Sequence, residues 1–270
     1  MSVEILRGIR ITSPDTVRIG EREYCGLRDY LVPWLQCEIY KNFFCGMKPV
    51  SVAAPVSSFM TALSAANAGR ETAQPGSYLA LGRPEPKGTK WLRLYWNVNP
   101  SGARVLTEIT TGILNRLLVP FRLKVLLDTS IARRDAAVLY VPLANWPAAR
   151  DLIGPVCRQL DKSRNLEPAT PLFTKTLRPG VALAEDPQTG LSFGMHRSGL
   201  VARSLARSYL AGHTEEDQQW SDLSAEFERE KLSIGRAYLN AGSADVYEFG
   251  QAAARSRATA SSIGCPVCSW

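Results

Sequence analysis

Apolar and polar positions change rhythm along the chain. Leu27, Tyr30, Leu31, Trp34, Leu35 and Ile39 recur at steps of three and four, the spacing of one helix face, with Pro33 as a helix start or kink. Residues 1–50 therefore read as mostly helical. Residues 51–88 are rich in Ala, Ser, Gly and Pro, and PGSYLALGRPEPKGT reads as loop with one short strand, the expected hinge to the rest. From Trp91 the period becomes two. Leu92, Leu94, Trp96 and Val98 fall on one face and Trp91, Arg93, Tyr95 and Asn97 on the other, which gives a strand with a polar side.

A helix follows from Pro100 to about Leu118, with Val105, Ile109, Ile113, Leu114 and Leu117 as its buried stripe. Phe121–Leu127 reads as a second strand in which Arg122 and Lys124 share a face. Ala136–Val141 reads as a third, entered through Arg133, Arg134 and Asp135. A helix from about Ala148 to Leu160 comes next, then two short strands split by Arg178, Pro179 and Gly180. An amphipathic helix, Met195–Leu210, begins at His196 and Arg197, and the remainder reads helical to about Ala254. No segment repeats.

These elements predict an α+β fold whose core is a mixed or antiparallel sheet flanked by helices. The expected divisions are a helical N-terminal region at 1–75, the α+β core at 76–212, C-terminal helices at 213–256 and a flexible Cys-containing tail at 257–270. With 270 residues and 45% hydrophobic content the chain can bury a substantial core. No apolar run approaches the roughly 18 residues of a membrane span. MSVEILRGIR has neither the apolar stretch nor the small-residue cleavage site of a signal peptide. The expectation is a cytoplasmic protein without a membrane partner.

The formal charge of +7 would suit a nucleic acid, a membrane surface or a phosphorylated substrate. Its distribution narrows the choice. Between Lys90 and Arg134 lie Lys90, Arg93, Arg104, Arg116, Arg122, Lys124, Arg133 and Arg134 against only Glu108 and Asp128, while Thr214–Glu230 is strongly acidic. Cations at strand ends, alternating with apolar residues, suggest a compact anion pocket. Arginine forks match phosphate oxygens, and a helix start at His196 and Arg197 favours anions. A lysine held among arginines has its pKa lowered and can serve as a base. No P-loop, dinucleotide-binding or G-x-S-x-G motif is present. Nucleic-acid binding, which would use the aromatic and basic RLYW and PFRLK runs, is the weaker reading.

Six cysteines and two histidines have no metal spacing, so neither metal nor cofactor is expected. Cys25, Cys37, Cys45 and Cys157 read as reduced thiols, and His213 as a turn residue. Cys265 and Cys268 stand alone near the chain end. Thr259, Ser262 and Cys265 in that tail are spaced like the precursors of lanthionine-type crosslinks, so a substrate-like segment is conceivable there beside a plain tail.

The run from Arg93 to Arg203, with RLYWNV, PFRLKVLL, RRDAAVLYV, PLFTK, GVALAEDP, SFGMHR and LVARSL in order, resembles the Hop-A type III effector family. Relatives of that family accompany kinase-like proteins in class V lanthipeptide and thioamitide maturation. The resemblance implies a lyase that eliminates phosphate from phosphoserine or phosphothreonine of a precursor peptide. The implied partners are that phosphopeptide, its kinase and a cyclase. A fainter similarity to phosphothreonine lyases places Lys124 at the base position and Arg133 or Arg134 on the phosphate. The general acid departs from that pattern: Tyr95 stands where a His is wanted, leaving Tyr95, His196 or Lys175 for the role. Arg93, Arg122 and Arg197 complete the candidate phosphate ligands, with Glu185 and Asp186 as residues that could orient them. The family also suggests two alternatives, a non-catalytic peptide-binding partner and an effector acting on host phosphoproteins.

Overall fold

The computed structural model of the chain describes residues 4–51 and 53–249. The tail with Cys265 and Cys268, and the end of the helix expected to reach Ala254, lie outside the described residues. The first elements are α1 (Glu4–Gly8), β1 (Ile9–Ser13), β2 (Thr16–Ile19), β3 (Arg22–Tyr24), α2 (Leu31–Ile39) and β4 (Lys48–Pro49), and α3 (Val56–Ala66) and β5 (Arg70–Gln74) stand where the sequence suggested a loop-rich hinge. A π-helical turn at Tyr40–Phe44 extends α2. Next come β6 (Ser77–Leu81), β7 (Trp91–Trp96), α4 (Pro100–Arg116), β8 (Arg122–Leu126), β9 (Ile131–Ala132), β10 (Ala137–Pro142) and α5 (Trp146–Lys162). The chain finishes with β11 (Lys175–Arg178), β12 (Val181–Glu185), α6 (Phe193–Leu210) and α7 (Glu216–Arg229).

The molecule is an α+β fold around one seven-stranded sheet ordered β11-β12-β7-β10-β8-β6-β5. Every adjacent pair is antiparallel. The alternation in β7, β8 and β10 is therefore expressed as two faces of different chemistry. Leu92, Leu94, Trp96, Leu123, Val125, Leu139, Val141 and Leu183 lie under α4 and α5 in one apolar core. On the opposite side, Tyr95, Val138 and Ala184 pack with Leu35, Ile39, Phe44, Phe193, Leu200 and Val201 of α2, the π-turn and α6.

Three sequence expectations fail. The first fifty residues are not mostly helical, because β1, β2 and β3 form a small antiparallel sheet. Ile9, Ile11, Val17 and Ile19 alternate there with polar residues in strands too short to outweigh the helical spacing further on. Nor does residue 75 separate a helical region from the core: β5 and β6 are paired strands of one sheet across it. After Arg229 the described residues do not continue as helix. Beyond one short turn, residues 231–249 run as an irregular strap that is tied down by side chains.

That strap explains several polar residues. Glu185, only 2% exposed, accepts from the Asn240 backbone N–H (2.9 Å), the Ser243 hydroxyl (2.6 Å) and the Tyr247 hydroxyl (2.7 Å). Tyr247 packs edge-on against Trp146 of α5 at 5.5 Å between ring centres. A buried carboxylate with three donors is well compensated, so Glu185 fixes the strap instead of facing solvent.

Candidate functional site

Register places the cations. In one cross-strand row, Arg93 of β7 and Arg122 of β8 both pair with Tyr140 of β10. In the next, Tyr95 and Lys124 both flank Val138. Directly paired residues share a face, so Arg93, Tyr95, Arg122, Lys124 and Tyr140 project together on the side away from α4 and α5.

The arginines on this face are held by carboxylates from outside the strands. Arg93, 8% exposed, reaches Asp186 just past β12 through Nε (2.7 Å) and Nη2 (2.5 Å), and its guanidinium lies over the Tyr140 ring. Asp186 is itself anchored, since the Asn240 side chain donates to its backbone carbonyl at 2.7 Å. Arg133 forms a two-pronged contact with Asp135, Nε to Oδ1 and Nη2 to Oδ2, both 2.9 Å. Its Nη2 also meets the Tyr40 hydroxyl and the Cys45 sulfur, each at 3.0 Å. In both arginines Nη1 makes no protein hydrogen bond among the described residues, so a donor edge remains for an incoming anion. Arg122 pairs with Glu85 and stacks over Trp91, at the more exposed end of the row.

Lys124 is different. It is half-buried, and among the described residues no hydrogen-bond or ion-pair partner meets its amine. Burial lowers its pKa from the ordinary lysine value; Arg133 and Arg93 push the same way, and only Asp135 opposes them. A neutral amine is thereby more accessible than on a solvated lysine. Tyr95 flanks the same row but is 2% exposed, packed against Phe44 and Phe193. Among the described residues its hydroxyl makes no hydrogen bond of good geometry, and burial raises its pKa although nearby Arg93 pushes the other way, so it stays protonated.

The other sequence candidates lie elsewhere. Arg134 turns away from Arg133: its Nη1 donates to the Phe43 carbonyl at 2.9 Å and it lies flat over Gly46. Gly46 has φ +57, which favours glycine, and a β-carbon there would stand 2.6 Å from the Arg134 Nε and push its guanidinium aside. Arg197 is 1% exposed, and each of its three guanidinium nitrogens has a partner: the Ala237 carbonyl (2.8 Å), the Leu239 carbonyl (3.0 Å) and His196 Nδ1 (2.8 Å). It clasps the C-terminal strap. Because a guanidinium can only donate, His196 accepts at Nδ1 and carries its proton on Nε2. Burial, then Arg197, pushes His196 down to about 4, and its remaining charged neighbours are Glu230 and Arg203. Lys175 pairs with Leu183 and so sits on the opposite face of the sheet from Lys124. There it grips Asp245 through both oxygens at 2.7 and 2.8 Å.

Asp135, Tyr40, Cys45 and Tyr140 carry much of this geometry, yet the sequence reading gave none of them a role. Tyr140 was legible by parity, two residues beyond Val138 on the same face. Tyr40 and Cys45 were not, because they come from a turn brought in by tertiary packing. Burial pushes the Cys45 thiol up, so it stays a thiol and not a thiolate, its sulfur accepting from Arg133 and its S–H donating to Asp135 Oδ2 at 3.6 Å. Among the described residues no three His, Cys, Asp or Glu side chains gather as a metal site requires, and no helix is long and apolar enough to cross a membrane.

Two solved structures are similar in fold. One is an effector protein from Pseudomonas syringae pv. tomato strain DC3000, at 18% identity and TM-score 0.56, covering 76% of this chain and 90% of that one. The other is an effector protein from Pseudomonas syringae pv. syringae strain 61, at 16% identity and TM-score 0.50, covering 76% and 88%. No curated protein matches the chain. The HopA1 effector protein family matches residues 68–243, an interval that holds β5 to β12, the strap as far as Ser243 and all nine candidate site residues. The chain belongs to the HopA1 effector protein family.

Proposed function

We propose that the protein is a carbon–oxygen lyase that eliminates phosphate from a phosphoserine or phosphothreonine in a peptide, with Lys124 as the base. The observation that carries this reading is the half-buried amine of Lys124, without a partner among the described residues and close enough to Arg93 and Arg133 to feel both charges, while each arginine keeps a free donor edge. The neutral amine takes the proton from Cα of the phosphorylated residue. The released electron pair forms the Cα–Cβ double bond, the Cβ–O bond breaks, and phosphate leaves with that bonding pair. The products are dehydroalanine or dehydrobutyrine and inorganic phosphate. Arg93 and Arg133 stabilise negative charge on the enolate-like carbonyl and the departing dianion, an electrostatic role that their carboxylate partners preorganise.

The departing phosphate takes up one proton from solvent to leave as the hydrogen phosphate dianion. Of the three acids considered, Tyr95 shares the Lys124 face but its hydroxyl is out of reach of solvent and substrate, Lys175 lies behind the sheet and His196 meets Arg197. Arg122 and Arg134 lie outside the pair that brackets Lys124, and Arg197 serves the strap. The phosphate must be placed by another protein, which makes a kinase acting on a precursor peptide the natural partner, with a cyclase acting on the product.

Incubation with a synthetic phosphothreonine peptide tests the reading. Elimination removes the mass of phosphoric acid from the phosphopeptide and leaves an alkene that a thiol traps. Simple phosphatase action leaves the parent hydroxyl and no adduct. An unchanged phosphopeptide, bound but intact, would replace the lyase with a peptide-binding partner.

A further inference from the structure

A cavity of about 450 Å³ opens at the end of the sheet where β7 and β8 finish and β10 begins. Its wall is apolar: Phe59, Val98, Pro100, Ala103, Val125 and Ala136 contribute to it. The buried polar groups on that wall are already satisfied. Asn97 donates to the Ala169 carbonyl at 2.9 Å and Thr129 to the Ala54 carbonyl at 2.6 Å. A ligand that passes the charged border therefore meets hydrocarbon on the inner wall, so the part of it that enters is apolar.

The charges border the space. Lys48, Arg133 and Arg134 face it, with Asp128 and Glu167 on the exposed margin. Arg133 is the link to the candidate site, because its guanidinium borders the cavity and also bears on the Lys124 amine. Its orientation is fixed by Asp135, Tyr40 and Cys45, and that of Arg134 by the Phe43 carbonyl and the flat surface of Gly46. An apolar recess beside two arginines held by fixed partners, one of which also acts electrostatically on the base, suits a ligand that carries an apolar group and an anion close together.

We propose that this cavity is a specificity subsite for an apolar side chain of the phosphopeptide, from a residue near the phosphorylated one. The inference rests on the phosphopeptide reading above and adds a preference for sequence context. One Leu- or Phe-sized group fits within the volume, and the cationic border favours a phosphorylated peptide over a neutral apolar compound.

The test uses fluorescein-labelled phosphothreonine peptides that are identical except for Leu or Ala at each of the three positions on either side. Binding is read by anisotropy. At one or two positions Leu tightens binding by about tenfold, the gain from burying one such side chain. Two separate variants, Ala136→Leu on the wall and Ala169→Trp at the exposed rim, reduce that ratio towards one and leave the Ala peptides unchanged. Circular dichroism confirms that both variants are folded, and the rim variant stands if the wall variant is not. A ratio near one at every position in the wild type overturns the proposal, as does a ratio that persists in both folded variants. Equal binding of the unphosphorylated Leu peptide also overturns it, in favour of a different apolar ligand. The same samples, assayed for released phosphate, judge the lyase separately. A Leu preference without elimination leaves the subsite and removes the lyase, whereas elimination without any Leu preference does the reverse.

Discussion

The two faces of the central sheet use the same strands for opposite ends. Towards α4 and α5, Leu92, Leu94, Trp96, Leu123, Leu139 and Val141 are fully buried hydrocarbon. Towards α2 and α6, the alternate positions hold Arg93, Tyr95, Arg122, Lys124 and Tyr140. The first face gains stability by removing apolar area from water. The second spends part of it, because burying cations is costly unless they are paired. Three arginines on that side have a carboxylate: Asp186 for Arg93, Asp135 for Arg133 and Glu85 for Arg122. Lys124 has none. One unpaired amine among paired arginines is what a stability-driven sheet would avoid and a proton-abstracting one requires.

Substitutions can separate the faces. Leu94→Ala leaves a cavity beneath α4 and α5 and should cost about 2–5 kcal/mol in urea unfolding. A loss below about 1 kcal/mol would mean that the apolar face is not the main source of stability. Asp135→Ala strips Arg133 of its carboxylate and should cost about 2–3 kcal/mol, less than a fully buried pair because the site is partly open. The same change removes the one group that raises the Lys124 pKa, so the alkaline rise of the elimination rate should move to lower pH. An upward movement would show that Asp135 does not act on Lys124.

His196 gives a gentler test of the α6 side. Its folded pKa, pushed down to about 4 from 6.5, means that the unfolded chain binds the extra proton first as pH falls. Stability supplied by neutral His196 is complete above about pH 6.5 and is lost as pH falls through 6.5 towards 4, by roughly 1–3 kcal/mol. Unfolding of wild type and His196→Gln at pH 4.5 and 7 should show a steeper acid loss in the wild type. Equal losses would assign the acid limb to other groups. Lys175→Ala has the smallest expected effect. Its ion pair with Asp245 lies on the far side of the sheet, so about 1 kcal/mol or less of stability is at stake and elimination should proceed at the wild-type rate. A large fall in elimination would return Lys175 to the chemistry.

Much of this contrast was legible in the sequence. Alternation in RLYW, RLK and the strand at Ala136–Val141 places Arg93, Tyr95, Arg122 and Lys124 on a common face, because side-chain parity is a local property. Local rules could not say where Arg133 and Arg134 point. Both precede β10, and the turn at 40–46, nearly ninety residues earlier, decides which guanidinium meets Asp135 and which meets Phe43. Arg197 misled for a similar reason. A helix start favours anions in general, but here the strap at 237–239 supplies its own carbonyls. The N-terminal strands were hidden by their length, since three to five residues give too few alternations to compete with a helical stripe.

The central claim is that Lys124 removes the α-proton, and one assay addresses it: phosphate release from a phosphothreonine peptide by wild type and Lys124→Met, both shown to be folded by circular dichroism. The proposal predicts a fall of about 10²- to 10⁴-fold in the variant, the usual contribution of a positioned base, with peptide binding largely retained. Release at the wild-type rate from folded Lys124→Met would contradict it.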